Sequence, residues 1–174
     1  MSTGPRIALV EPGTRSELAS IEQSIVAERG RISALYRALL NSAPLAEGWE
    51  KLLTAIRNRS SLPPDLREIV ILRVAVLNRA PFEFEAHLPV ARNAGVTEEK
   101  LAALELPQIG EPFSVLERTV LALTDAMTRE VQVPDALFEP IARHFDRRAV
   151  TELVATIAAY NMVSRFLEAL RIGH

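Results

Sequence analysis

Three ionisable side chains crowd the middle of this sequence: Glu68, Glu83 and His87. Glu83 and His87 are four residues apart, so on a helix both point from one face. A histidine with a carboxylate beside it can move protons near neutral pH. The same two side chains could give a metal two ligands, with Glu68 as a third. The other histidines, His144 and His174, lie far along the chain or at its end, so no metal is expected. Three arginines are candidates for holding a carboxylate, which guanidinium grips with two parallel bonds: Arg73, Arg79 and Arg165. Arg73 and Arg165 interrupt apolar faces, so each needs a partner, either an acidic side chain or a ligand. Arg79 falls at a turn, where solvation is the ordinary alternative. Trp49 is a candidate for lining a substrate pocket, with core or interface packing as its ordinary use. Glu85 reads as a solvated surface residue.

The stretch from Leu62 to Gly95 must position this chemistry. It reads as two helices joined by a tight turn. Pro63, Pro64 and Pro81 fit helix starts, and Gly95 follows the last apolar position as a C-terminal cap would. Ile69, Leu72 and Val76, with Val70, Ile71, Val74 and Leu77, make the first helix apolar on nearly all sides, the pattern of a helix at a domain centre. Helix rise places Glu68 about 15 Å and His87 about 10 Å from the turn. That offset of roughly one turn predicts a shared pocket or a bridging water rather than direct contact.

Around this hairpin the spacing predicts further helices. One covers Ser16 to Arg29, a short one on Ile32, Leu35, Tyr36 and Leu39 runs up to Asn41-Ser42, and another runs from Pro44 to about Asn58. Thr97 caps a helix with an acidic first turn. Ser114 and Glu117 form a capping-box pattern. A helix follows Pro134, and a long last helix follows Asp146, carrying Asn161 and Arg165. No strand alternation or Gly-rich phosphate loop is present. The expectation is an all-α protein: an irregular arm over residues 1–14, then a single helical domain over 15–174.

The 174 residues are enough for one substantial core. With 48% hydrophobic and 24% charged residues, the composition is that of a globular protein. A net charge of −2 without a basic run points away from nucleic acid and anionic membranes. No stretch reads as a signal region or a membrane span, so a soluble cytoplasmic protein is expected. Cysteine is absent, which excludes disulfides, thiolate metal sites and cysteine nucleophiles.

The run Glu68-Ile-Val-Ile-Leu-Arg-Val-Ala, then Phe82-Glu83-Phe84-Glu85-Ala86-His87 and Ala91-Arg92-Asn93-Ala94-Gly95-Val96, resembles the core signature of the carboxymuconolactone decarboxylase family, which includes the alkylhydroperoxidase-type proteins. The resemblance covers most of residues 31–174. It continues through Phe138 to Phe145, Thr151-Glu152-Leu153-Val154, Asn161 and Arg165. It implies the family's all-α fold and a homo-oligomer, a trimer or hexamer. It also places Glu68 and His87 on the family's proton-transfer positions, with Glu83 where members lacking the cysteine pair carry an acid. The peroxidase branch needs a Cys-x-x-Cys pair, and in register those positions are Ala80 and Glu83. Thiol–disulfide chemistry is therefore closed to this chain. The resemblance implies a cofactor-independent, decarboxylase-like lyase acting on a small carboxylated lactone or related acid. The alternative is a non-catalytic oligomeric domain that binds a small molecule or a protein.

Overall fold

The computed structural model describes residues 4–173, and its described residues form nine α-helices and one 3-10 turn, with no strand. The all-α expectation holds. Two compact units are distinguished: residues 1–59 with 167–174, and residues 60–166.

In the first unit, residues 4–14 carry no helix. They are tied by backbone and side-chain bonds, among them Val10 N–H to Arg37 O at 3.0 Å and Asn41 Nδ2 to Ala8 O at 2.9 Å. After a 3-10 turn at Ser16–Leu18 come α1 (Ala19–Arg29), α2 (Ala34–Leu39) and α3 (Ala43–Asn58). Gly30 ends α1 in the left-handed region, φ 76°, which a residue with a Cβ adopts only with strain. Leu18, Ile25, Leu39, Leu40, Ala46 and Leu53 are buried in this unit.

The second unit is built on α4 (Pro64–Leu77), α5 (Pro81–Asn93), α6 (Glu98–Ala103), α7 (Val115–Arg129), α8 (Asp135–His144) and most of α9 (Arg147–Leu170). Helix α4 is the central one. Its residues 66 and 68–75 are all buried, as its unbroken apolar surface requires, and it packs on both α5 and α7. The Ser114 capping box forms in full, and the Thr97 hydroxyl accepts the Lys100 amide. The Asp146 carboxylate likewise accepts the Ala149 amide at the start of α9. Gly95 closes the α5 end at φ 94°.

By length and composition alone α9 could cross a membrane, contrary to the sequence expectation. Its apolar residues fall on an inward face, where Leu153, Ile157, Tyr160 and Val163 are buried. The same helix carries Glu152, Asn161 and Ser164 in hydrogen bonds to neighbouring segments of the unit. That is the pattern of a core helix with one solvated side.

Candidate functional site

Helices α4 and α5 bring Glu68, His87 and Glu83 into one cluster. His87 Nδ1 lies 2.7 Å from Glu68 Oε2, and Nε2 lies 3.2 Å from Glu83 Oε1. Where a shared pocket or a bridging water was expected, Glu68 and His87 are in direct contact across the two helices. Each imidazole nitrogen faces its own carboxylate. The Tyr160 ring of α9 meets the imidazole edge-on, 5.1 Å between centroids and 87° between planes. It blocks sideways swinging of the ring and adds an apolar wall.

Side-chain exposure is 1% for Glu68, 5% for His87 and 7% for Glu83, so all three are buried, Glu68 most deeply. Burial by itself disfavours the imidazolium. The hydrogen bonds and charges of Glu68 and Glu83 outweigh it, and His87 is held protonated above its ordinary 6.5. Two acceptors on one imidazole have the same implication. A carboxylate can only accept, so Nδ1 keeps its proton toward Glu68, and Nε2 shares one with Glu83. Among the described residues no group of three suitable side chains is arranged to hold a metal ion.

The remaining candidates stand elsewhere. Arg73 is buried on α4 and gives two parallel bonds to Asp125 of α7, at 2.8 and 2.7 Å. Its Nη1 donates to the carbonyls of Leu104 and Leu106, at 2.7 and 2.8 Å. Of the partners anticipated for Arg73, the acidic side chain is the one present. Arg79 is exposed at the turn between α4 and α5, in the left-handed region at φ 54°. Arg165 is exposed and donates to Asn161, to its carbonyl at 3.1 Å and to its side-chain oxygen. Asn78, next to Arg79, donates to the same Asn161 oxygen at 2.9 Å and to Ser164 Oγ at 2.7 Å. Trp49 is buried on α3 in the first unit. Glu85 is exposed, as its surface reading requires.

Sequence reasoning missed three participants: Arg67, whose Nε lies 3.5 Å from Glu68 Oε1, Tyr160, and Asp125. Arg67 was legible as the neighbour of Glu68. Successive helical residues diverge by about 100°, which hid the contact. Tyr160 and Asp125 come from helices distant in sequence and left no local signal.

The chain is similar to several known proteins. The carboxymuconolactone decarboxylase family model matches residues 43–126. The uncharacterized protein YnjA of Escherichia coli is 35% identical over 118 residues, 67% of this chain, and the match spans 64% of that relative's length. Two solved structures share the fold. One is an uncharacterized peroxidase-related protein from Silicibacter sp. TM1040, with a TM-score of 0.81, 16% identity, and coverage of 97% of this chain and 90% of that one. The other is the debrominase Bmp8, with a TM-score of 0.81, 17% identity, and coverage of 98% and 92%.

Proposed function

Because residues 43–126 belong to the carboxymuconolactone decarboxylase family, we propose that this chain is a decarboxylase-like lyase that moves protons on a small carboxylated lactone or related acid. One observation carries the reading: both nitrogens of a buried histidine are engaged by carboxylates, the inner one at 2.7 Å and the outer one at 3.2 Å. Losing carbon dioxide from a β-keto or vinylogous acid breaks the C–C bond and leaves its electron pair on an enolate. The enolate carbon then needs one proton. Here the proton leaves imidazolium Nε2 by way of Glu83, on the side of the ring away from Glu68, and solvent restores it. Glu68 stays behind the ring and holds its orientation. This order puts Glu83 between His87 and the substrate. Of the three candidate arginines, Arg79 and Arg165 are the exposed ones and are assigned to a substrate carboxylate. Arg73, with Asp125 and two carbonyls on its guanidinium, does not serve in that role.

The test is turnover of 4-carboxymuconolactone and related lactone acids, followed by ultraviolet absorbance, for the unaltered chain, Glu83→Gln and His87→Ala. Loss of turnover in both variants with the melting temperature retained supports the relay. Equal turnover in all three proteins removes the cluster from the chemistry.

A second reading has its own support. A histidine pinned between two buried carboxylates is also a structural tie between α4 and α5. In that case the chain is a binding domain. A lactone acid that binds without turnover, equally well to Glu83→Gln, would favour it.

A further inference from the structure

Glu68 has two oxygens, and the relay uses only one. Oε2 accepts His87 Nδ1. Oε1 is buried, has no hydrogen-bond partner, and faces Arg67 Nε at 3.5 Å. Arg67 Nε is itself buried and without a hydrogen bond, and the Arg67 side chain is only 11% exposed. A guanidinium sunk this far needs a counter-charge, and the carboxylate behind the histidine is the one it faces. From contact to contact the groups alternate in sign: Arg67, Glu68, His87, Glu83. The imidazole meets Glu68 of α4, Glu83 of α5 and the Tyr160 ring of α9, and Arg67 of α4 stands behind Glu68.

We propose that Arg67 is a positioning residue: its guanidinium keeps the Glu68 carboxylate in place as the acceptor of His87 Nδ1, so that proton traffic on the imidazole runs through Nε2 toward Glu83. Without the guanidinium facing Oε1, the Glu68 carboxylate can turn away from Nδ1. The neutral ring then exchanges between its two tautomers, and Nε2 loses its role as the exchanging nitrogen. The inference rests on the proton-transfer reading of His87, but its test uses no substrate.

The experiment is nitrogen-15 NMR of the His87 imidazole in the full chain, titrated with pH, for the unaltered protein, Arg67→Gln and Arg67→Lys. In the unaltered protein the neutral ring should show a single tautomer with the proton on Nδ1. In Arg67→Gln the two nitrogen signals should move toward each other, and the protonation midpoint should shift downward, since the Glu68 hydrogen bond that raises it is loosened. Arg67→Lys should restore the midpoint. If Arg67→Gln lowers the melting temperature but leaves the His87 signals and midpoint unchanged, Arg67 is only structural and the proposal is overturned. If Arg67→Gln does not fold, the Arg67 Nε signal of the unaltered protein decides. It should move at the same midpoint as His87, and a signal that stays flat overturns the proposal. Failure of every lactone acid to turn over would defeat the lyase reading without touching these readouts.

Discussion

At the scale of single residues, function and stability depend on the same buried cluster. General acid–base catalysis by a positioned side chain is worth about 10²- to 10⁴-fold. His87→Gln is therefore expected to lower kcat by that factor in the lactone-acid assay, with KM changed far less. Glu68→Gln keeps the shape but removes the charge behind the ring. A hydrogen bond to a charged group contributes about 1.5–3 kcal/mol, so urea unfolding of Glu68→Gln should show a loss in that range. The residue types and the i, i+4 spacing of Glu83 and His87 were legible in the sequence. The direct Glu68–His87 contact was not, because it depends on side-chain reach across two helices, and helix rise alone predicts a gap.

At the scale of elements, α4 is held to α7 by charge and to α9 by amides. Arg73 and Asp125 form the α4–α7 tie inside a largely apolar contact. Asp125→Ala strips the partner from a buried cation, which costs about 3–5 kcal/mol. Replacing both residues with apolar ones should cost much less, and chemical denaturation of the single and double variants checks this. Arg79 offers a separate test at the α4–α5 turn. An arginine at φ 54° carries strain that glycine does not. Arg79→Gly should raise stability by about 1 kcal/mol, and it should raise KM as well if Arg79 receives a substrate carboxylate. The helices themselves were readable from capping residues and apolar periodicity, as at Ser114 with Glu117 and at Gly95. Which helix faces which was not, since Arg73 declares the need for a partner without naming Asp125.

At the scale of the whole molecule, two ionisations set a pH window for stability. Glu152 on α9 is lowered from 4.5 to about 2: partial burial raises it, but hydrogen bonds from Ser61 and Arg148 more than reverse that. A depressed carboxylate contributes stability that is present above its unfolded value and is lost as pH falls through its folded one. The difference in melting temperature between the unaltered chain and Glu152→Gln should therefore be full above pH 4.5 and vanish toward about pH 2. His87 runs the other way. Its folded value lies above 6.5, so its contribution is complete below 6.5 and fades as pH rises through the folded value. A thermal-shift series across pH should find both contributions intact between 4.5 and 6.5. By itself the sequence determined the all-α class, the approximate course of the helices, the closure of sulfur chemistry and the identity of the three ionisable residues. Each of these follows from composition or from relations within a few residues. Only the tertiary structure decided that Glu68 touches His87, that Arg67 stands behind Glu68, that Tyr160 walls the ring and that Arg73 is taken by Asp125. Those relations join side chains across helices, and only packing selects which faces meet.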